Sequence, residues 1–430
     1  MACEDVGSNA AADARSDDRR TIAVRPRARP RETGLVEGLD AVIVGAGASG
    51  LSLAAHLAGA GWQGRAVVVD DGSVPIDHQA WAYWSCGDGL LDAAASPGAD
   101  RLWVRGPGTA RLLPLSRYRY RTITGRQLSA ATDGLLATAP GIRRLRGRVV
   151  AVSEDDGGAQ VAIDLIDGAR TRSVTVRTRW VFDGAGKDAP GQDRATSAHL
   201  DFVGHRIECD TDAFEPAAPT LMDFRTSQAA GLSFVYVLPT SPRTALVERT
   251  RFVVPRGDGC TAAPPEHTAA IGRYLREEVG LVSWRATGTE QGTIPLLTTA
   301  PAAPTSAVVP IGTRAGRVKA STGYGYDRIQ RHSAALARSL VRHGHPFDVR
   351  SPDRWHRSLD AALLAVVRDE PESLPGVFTS LFGANPPDRV LSFLDEDTSL
   401  REELRLFSTL PVAPFGRTLL RRIGRAHAAR

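Results

Sequence analysis

Three glycines between residues 45 and 50 have the spacing that lets a polypeptide bind phosphate. In the stretch GAGASG, Gly45, Gly47 and Gly50 follow the pattern G-x-G-x-x-G. The first glycine permits a tight turn, the second lets the backbone approach a pyrophosphate, and the third lets a helix pack closely on the strand. The unpaired N–H groups at the start of that helix attract phosphate. Taken alone, this hexapeptide is equally compatible with a glycine-rich turn that binds nothing.

The elements around this turn indicate that its ligand is a dinucleotide. The turn lies between the apolar run AVIV and the helical pattern SLAAHL, and a second apolar run, AVVVD, ends at Asp70. A carboxylate at the end of the second strand accepts hydrogen bonds from an adenosine ribose. Strand, turn, helix, strand and acid therefore predict a β-α-β unit that binds a dinucleotide. These residues do not distinguish FAD from a nicotinamide nucleotide.

Patterns further along the chain predict the elements that complete this unit. A helix is predicted to begin near Thr124, and alternating residues between 145 and 182 predict a meander that ends in VFDGAGK, a second strand meeting a glycine turn. Aromatic-rich strands between 200 and 290 predict an antiparallel sheet that forms one wall of a substrate site. The segment SAVVPIGTRAG and the long helical pattern after it return the chain to the nucleotide-binding unit.

We therefore predict an α/β fold in which a Rossmann-like domain carries an inserted sheet domain and is followed by a C-terminal helical region. Residues 37–199 and 291–345 are assigned to the discontinuous dinucleotide-binding domain and residues 200–290 to the antiparallel substrate domain. Residues 346–430 form the predicted helical region. Residues 1–36, rich in Ala, Arg, Asp and Pro, are predicted to be a disordered extension.

Composition excludes several other classes of function. The 430 residues are 42% hydrophobic, enough for a large core, and the formal net charge is +5. Nearly all positive charge is arginine scattered along the chain, without interleaved aromatics, so no nucleic-acid partner is predicted. The four cysteines show neither C-x-x-C pairing nor zinc spacing, which favours a reducing cytosol and no metal site. No run of eighteen apolar residues predicts a membrane span.

Four separated stretches resemble the bacterial lycopene cyclases, flavoproteins of the carotenoid pathway related in fold to flavin hydroxylases. They are VIVGAGASGLSLA with VVVDDG; HQAWAYW; LMDFRTSQAAGLSFVYVLPTSPRTALVERTRF; and VPIGTRAGRVKASTGYGYDRI. The third is highly specific, because the family has M-D-[YF]-R, then V-Y-x-L-P, then an apolar residue followed by Glu, an acid and Thr. The likeness covers residues 40 to about 415.

The resemblance implies an FAD-binding domain of the flavin-hydroxylase and glutathione-reductase type. It implies a redox-neutral cyclisation of the ends of lycopene, or of a related acyclic carotenoid, to β-ionone rings. The product is β-carotene, by way of γ-carotene where the ends close one at a time. Reduced FAD is the implied active form, with NADPH or NADH as its electron donor. Other carotenoid-pathway enzymes are implied partners.

The same resemblance assigns residues to the site. Glu248 is the family's essential carboxylate by position, and Asp223 and Arg225 belong to the M-D-[YF]-R motif. The residues assigned to FAD binding are Gly45, Gly47, Gly50, Asp70, Asp183, Gly184, Gly312, Arg314, Gly316, Thr322 and Gly323.

Protonation of a terminal double bond explains why a carboxyl is needed. Burial among apolar strand residues raises the pKa of a glutamate, so that Glu248 can donate a proton at neutral pH. The resulting cation needs electron density without a nucleophile, which aromatic faces supply. The candidates are Trp81, Tyr83, Trp84, Phe234 and Tyr236.

Two positions depart from the family pattern. Arg249 stands where the family has a second acid, and strand alternation predicts that it points away from Glu248. Val318, Lys319 and Ala320 replace a His-Pro sequence before T-G-Y.

Alternative functions share the dinucleotide-binding unit. A flavin monooxygenase or a prenyl-chain reductase would use the same fold, but hydroxylases usually carry G-D-A-A-H where this chain has GTRAG, with Thr313 at the Asp position. An FAD-binding scaffold without catalysis is a third interpretation.

The apolar substrate implies contact with a membrane. A cytoplasmic protein bound peripherally is predicted, with Leu419, Leu420 and Ile423 on one helical face and Arg417, Arg421, Arg422 and Arg425 near lipid headgroups. A solvated basic helix is the alternative interpretation of this tail.

Overall fold

The structure is a computed structural model that describes residues 38–184, 196–254, 264–299, 304–350, 353–411, 413 and 415–417. The strands are β1 (Leu39–Val44), β2 (Ala66–Asp70), β3 (Ala80–Ser85), β4 (Arg101–Gly106), β5 (Thr109–Pro114), β6 (Arg119–Thr124), β7 (Ile142–Asp155), β8 (Gly158–Asp167), β9 (Arg170–Asp183), β10 (Thr196–Glu208), β11 (Thr220–Asp223), β12 (Ser233–Ser241), β13 (Thr244–Val253), β14 (Arg285–Leu297) and β15 (Val308–Pro310). The helices are α1 (Ala48–Gly59), α2 (Gly125–Leu136), α3 (Pro264–Glu277), α4 (Tyr326–His343), α5 (Arg354–Asp369), α6 (Leu374–Ala384), α7 (Pro387–Leu394) and α8 (Leu400–Phe407).

The first sheet carries the predicted β-α-β unit. Its parallel part has the order β7-β2-β1-β9-β15. Strand β8 pairs antiparallel with the outer halves of β7 and β9, which confirms the predicted meander. Strands β1 and β2 are almost fully buried. Their continuous runs of apolar residues are typical of central parallel strands covered on both faces.

Three helices position the nucleotide end of this sheet. Helix α1 packs against α2 and α4, and Leu51, Leu53 and Leu57 of α1 are completely buried. Helix α2 begins after Thr124, as predicted, because the Thr124 hydroxyl accepts from the backbone N–H of Gln127 and the Gln127 side chain accepts in return.

The second sheet is mostly antiparallel and has seven strands in the order β14-β10-β13-β12-β11-β4-β5. One face packs against α3, and the other faces a large core shared with the C-terminal helices. The predicted boundaries at 199/200 and 290/291 fall inside β10 and β14, and β4 and β5 come from the segment assigned to the nucleotide domain. Strands β3 and β6 form a separate pair.

Helices α5 to α8 account for the predicted C-terminal helical region. Of the residues that the structure describes, none lies in a helix with the length and apolar character needed to cross a bilayer. Arg417 pairs with the buried carboxylate of Glu370. The other predicted membrane-contacting residues of the tail lie beyond the described part of the chain.

Two glycines in helices predict opposite effects of the same substitution. A Cβ at Gly50 would lie 1.9 Å from the carbonyl oxygen of Gly45, whereas a Cβ at Gly134 in α2 would have no atom within 4 Å. We expect Gly50→Ala to lower the free energy of unfolding by roughly 1–3 kcal/mol. The control, Gly134→Ala, should raise it by about 0.5–1 kcal/mol. Urea unfolding of both variants tests this, and stabilisation by Gly50→Ala would contradict the tight strand–helix packing.

Candidate active site

Three glycine turns that are distant in sequence meet at the N-terminus of α1. Gly45 has φ +91°, and its carbonyl oxygen leaves no room for a side chain at Gly50. A Cβ at Gly184 would lie 2.9 Å from the Ser49 hydroxyl oxygen, and one at Gly312, where φ is +60°, would lie 2.6 Å from the Ser49 Cβ. The turns after β1, β9 and β15 are therefore packed together around Ser49.

Asp70 connects the second strand to this turn. One of its carboxylate oxygens accepts from the backbone N–H of Ala46 at 2.8 Å, and the other accepts from that of Gly72 at 2.8 Å. A carboxylate oxygen can accept a further hydrogen bond, so these contacts orient Asp70 without preventing it from binding a ribose. Asp70 therefore stabilises the turn and keeps the capacity to accept a hydrogen bond from the predicted ligand.

A groove of about 1090 Å³ opens over these turns. Six of the residues predicted to bind FAD line it: Gly45, Gly47, Asp70, Asp183, Gly184 and Arg314. Arg314 forms an ion pair with Asp183 at 3.3 Å, which joins the third turn to the second. A Cβ at Gly47 would have no atom within 4 Å, so the space next to Gly47 is part of the groove. The residues present fit a dinucleotide whose pyrophosphate meets the N–H groups of α1.

The other predicted FAD-binding residues lie beside this groove. Gly50 packs behind the first turn, and Gly316, with φ +65°, ends the short helix Gly312–Ala315. Thr322 and Gly323 line a second cavity of about 440 Å³. Gln79 lines both the groove and this cavity, so the two spaces adjoin.

The second cavity lies between the seven-stranded sheet and the loop 322–326. Its walls are largely apolar or aromatic, from β10, β12, β13, β14, β3 and the loop. Glu248 and Glu290 are the ionisable carboxyl groups among its lining residues. This placement agrees with strand alternation, because Leu246, Glu248 and Thr250 share one face of β13.

The side chains of Glu248 and Glu290 lie on either side of Gly204. Gly204 of β10 pairs with Glu248 on one side and with Glu290 on the other, so the two acids are separated by an intervening strand. A Cβ at Gly204 would lie 3.1 Å from the Glu290 Cγ and 3.4 Å from the Glu248 Cβ. The missing side chain leaves the space in which the side chains of Glu248 and Glu290 lie next to each other.

The surroundings of this pair favour retention of a proton. Burial raises the pKa of Glu248 to about 6, against hydrogen bonds from Thr250 and Glu290 that lower it. Burial and the neighbouring charge of Glu248 raise the pKa of Glu290 to about 9, and Arg206, 3.3 Å away, lowers it. Two adjacent carboxyl groups in an apolar site resist double ionisation, so the pair holds a proton at neutral pH.

Aromatic side chains form one wall beside the pair. Trp81 and Tyr236, two of the predicted aromatic residues, line the cavity, as do Tyr324 and Tyr326. The hydroxyls of Tyr120 and Tyr324 are 3.1 Å apart, and burial raises the pKa of both phenols, which keeps them neutral. The other predicted aromatics, Tyr83, Trp84 and Phe234, are buried in the surrounding core and do not line the cavity.

Asp223 and Arg225 lie outside this cavity. Asp223 is fully buried on the α3 side of the sheet, where it accepts from the Tyr274 hydroxyl and from Arg225, each at 2.7 Å. Arg225 also pairs with Glu278. Met222 and Phe224 belong to the core on the cavity side, whereas Asp223, next to a register shift in β11, lies on the opposite side. The structure therefore does not bring Asp223 and Arg225 together with Glu248.

Arg249 also lies on the α3 side, as alternation predicted. Its guanidinium donates to the Ser233 hydroxyl at 3.0 Å and lies 3.3 Å from the His267 ring. Burial, with the nearby cations Arg251 and Arg273, lowers the pKa of Arg249 to about 10. Its charge is separated from Glu248 by the sheet.

Lys319, which belongs to the second departure from the family pattern, lies in a buried ionic cluster. The Lys319 ammonium donates to Asp360 of α5 at 2.8 Å and to Glu396 at 3.0 Å. Arg328 of α4 shares Glu396. Lys319 thus connects the loop that closes the cavity to the C-terminal helices.

Glu290 is the residue that sequence analysis missed. Its segment, TEQGTIPLL, places Glu290 on the same alternating face as Ile294 and Leu296. An acid in register with apolar residues predicts burial, and that signal was available. The proximity of Glu290 to Glu248 could not be predicted in this way, because it depends on the pairing of β13 and β14 with β10.

Solved structures with related folds include a reductase-like protein and a flavin-dependent monooxygenase. The chain is similar to a geranylgeranyl bacteriochlorophyll reductase-like protein from Thermoplasma acidophilum, with a TM-score of 0.55 and 14% identity over 89% of this chain and 96% of that one. It is also similar to the flavin-dependent monooxygenase PieE, solved in complex with FAD and substrate, with a TM-score of 0.55 and 16% identity over 89% of this chain and 71% of that one. These likenesses confirm the predicted fold class.

Comparison of sequences is more specific. The chain is 30% identical over 300 residues to the lycopene beta-cyclase of Paracoccus sp. (strain N81106 / MBIC 01143), covering 66% of this chain and 69% of that protein. Residues 40–420 match the family model described as lycopene cyclase protein. The resemblance inferred from four short stretches is confirmed, and the chain belongs to the lycopene cyclase family.

Proposed function

We propose that this chain uses FAD and Glu248 to cyclise the ends of lycopene, or of a related acyclic carotenoid, to β-ionone rings without net redox change. The observation that carries the proposal is a buried pair of carboxyl groups, Glu248 and Glu290, that line one cavity next to a dinucleotide groove and resist ionising together. A hydrocarbon offers no hydrogen-bonding group, so the protein must supply a proton to begin the reaction.

The residues that line the cavity suit a hydrocarbon substrate and support the proposal. Leu200, Leu238 and Leu246 give an apolar surface that suits a hydrocarbon chain. Trp81 and Tyr236 present aromatic surface to the same space. A hydrocarbon that fills this space would displace water, which would otherwise quench a carbocation to an alcohol.

Proton transfer from Glu248 accounts for ring closure. The Glu248 carboxyl gives its proton to the terminal double bond, and a C–H bond and a tertiary carbocation form. The neighbouring double bond supplies its electron pair to close the ring, and loss of a ring proton leaves the new double bond. The substrate gains one proton and loses one proton, and no electrons are transferred to or from it. The reaction is therefore an isomerisation. Aromatic faces stabilise the cation before that proton leaves.

The dinucleotide groove supports FAD as the cofactor. Gly45, Gly47 and Gly184 leave the backbone accessible to a pyrophosphate, Asp70 can accept from the ribose, and Arg314 borders the groove. Thr322 and Gly323 extend the predicted flavin-binding surface to the substrate cavity. Reduced FAD would supply negative charge that favours a nearby carbocation, and NADPH or NADH would provide its electrons.

The solubility of the substrate places the reaction near a membrane. Lycopene partitions into bilayers, so the proposal includes peripheral association of the protein with the cytoplasmic membrane surface. Enzymes that make or consume carotenoids are then natural neighbours on the same surface.

Product analysis under controlled redox conditions tests the function. The FAD-loaded protein is incubated with lycopene in phospholipid vesicles, with dithionite or under air. We expect a cyclic product of unchanged mass when the flavin is reduced and none under air. An oxygenated product would favour the monooxygenase alternative, and a product with added hydrogen would favour the reductase alternative.

Substitution of Gly47 should remove the cofactor without unfolding the protein. Gly47 has φ −79° and ψ −169°, which valine adopts readily, and its Cβ would have free space. We expect Gly47→Val to raise the FAD dissociation constant at least about tenfold, or 1.4 kcal/mol, because the side chain occupies the position of the pyrophosphate. Flavin absorbance after gel filtration measures retention, with Gly134→Ala as the control. Normal retention by the valine variant would place the cofactor elsewhere.

Replacement of Glu248 by Gln should stop proton donation while keeping the shape of the side chain. We expect Glu248→Gln to lower the cyclisation rate at least about 10²-fold, with FAD binding unchanged. Glu208→Gln is a matched control, because Glu208 lies on β10 and is exposed beside Arg285. Equal rates for the Glu248 variant and the control would exclude Glu248 as the proton donor.

A further inference from the structure

Cyclisation needs a proton at the start and releases one at the end. The lining of the cavity contains two carboxyl groups, Glu248 and Glu290, which lie next to each other on either side of Gly204. Glu290 is 8% exposed, and its position on β14 is set by strand pairing. A group that both faces the reacting end of the substrate and contacts the proton donor can return the proton that the reaction releases.

We propose that Glu290 is a second catalytic carboxyl, which shares a single proton with Glu248 and accepts the proton lost from the new ring. The inference rests on the proposed function. Glu248 delivers the shared proton to the terminal double bond, and both carboxylates then face the carbocation. Glu290 takes the ring proton, which returns to the shared position through the hydrogen bond between the two acids. The pair begins and ends with one proton, and no other reactant is consumed.

Charge balance around the pair supports one shared proton. Arg206 of β10 contacts Glu290 at 3.3 Å and also donates to the His78 carbonyl oxygen. One guanidinium and one ionised carboxyl cancel, whereas two carboxylates would leave a net negative charge in an apolar site. The other polar groups facing the pair are neutral: the Thr250 hydroxyl, the Ala80 backbone N–H and the phenols of Tyr120, Tyr236 and Tyr324.

The carbocation relieves the repulsion that normally prevents double ionisation. After Glu248 gives up its proton, two negative charges lie beside one positive charge on the substrate. Attraction between opposite charges in this low-dielectric space offsets the repulsion between Glu248 and Glu290. Transfer of the proton to the substrate therefore keeps a compensating positive charge beside the two carboxylates, and the pair regains a proton as soon as the ring loses one.

The pH dependence of cyclisation tests the inference in the reduced, FAD-loaded protein. We expect Glu290→Gln to lower the rate at pH 8 at least about 10²-fold, because an amide cannot accept the ring proton. Glu290→Asp keeps a carboxyl and should recover at least part of this loss. The matched control, Glu208→Gln, should keep the wild-type rate and pH profile.

Arg206→Met provides a variant that keeps both acids. Loss of the cation raises the pKa of the pair, so we expect the pH at which activity falls to move upward by at least about half a unit. If Glu290→Gln fails to fold, this shift decides the question. An unchanged profile for Arg206→Met, or a wild-type rate for Glu290→Gln, would overturn the role of Glu290 and leave the proposed cyclase function intact.

The pH dependence of protein stability tests the shared proton independently of the cyclisation reaction. The native pair retains a proton at pH values where the two glutamates of the unfolded chain are ionised, so wild-type stability should fall as pH rises from about 5 to about 9. Glu290→Gln should reduce that slope, whereas a purely structural contact with Arg206 would make the variant less stable at every pH. A reduced slope with no cyclisation by the wild type would uphold the shared proton and reject the proposed function. An unchanged slope would reject the shared proton.

Discussion

The site depends on keeping a carboxyl group protonated while it remains able to reach a hydrocarbon. The seven-stranded sheet meets this requirement through the two-residue alternation of its strands. Residues 246, 248 and 250 of β13 face the cavity, and Arg249 faces α3. A cation in direct contact with Glu248 would favour its ionisation, whereas Arg206, the cation that contacts the pair, lies against Glu290. The sheet therefore separates the side chains of Glu248 and Arg249, although the two residues are adjacent in sequence.

The buried acids cost stability that packing elsewhere must offset. Desolvation of two adjacent carboxyl groups is unfavourable even when one proton is shared. The same face of the sheet carries the largest apolar core, which includes Leu200, Leu246 and residues from α5 to α8. The C-terminal helices thus stabilise the sheet that holds the acids.

Lys319 gives these helices a second role. Its ion pairs with Asp360 and Glu396 hold the segment that leads into loop 322–326, and the buried carboxylates depend on its charge. Gly323 has φ +78°, and Tyr324 of the same loop contacts Tyr120. A lysine at this position replaces the histidine and proline of the family pattern with an ionic anchor. The loop is held by the helical region rather than by the cofactor groove.

Local patterns were sufficient to predict the turns and strands around the dinucleotide groove. The glycine turns, Asp70, the cap at Thr124 and the orientation of Arg249 follow from rules that act within a few residues. The contact between Glu248 and Glu290 does not follow from such rules, because the two residues are 42 positions apart in the chain and meet only through the register of β13 and β14 against β10.

The assignment of Asp223 and Arg225 shows the limit of carrying over a motif. Both residues match the family pattern, yet the pairing of β11 with β12 and β4 directs Asp223 toward Tyr274 and α3. A motif shows that residue types occur together in a family but not which face of a sheet they occupy. Only the pairing partners determine that face, and here they place the motif in the packing of α3.

The fold by itself leaves the reaction open, because reductases and monooxygenases share its nucleotide-binding sheet. The groove around Ser49 meets requirements common to flavoproteins: close backbone approach, N–H groups at a helix start and a carboxylate for the ribose. The groups that distinguish this chain lie on the other sheet. A protonated carboxyl pair beside aromatic rings is suited to making and neutralising a carbocation, and neither hydride transfer nor oxygen insertion requires it. The groups suited to the proposed cyclisation therefore lie on the sheet that lines the cavity, whereas the nucleotide-binding sheet has a fold that the chain shares with these solved structures.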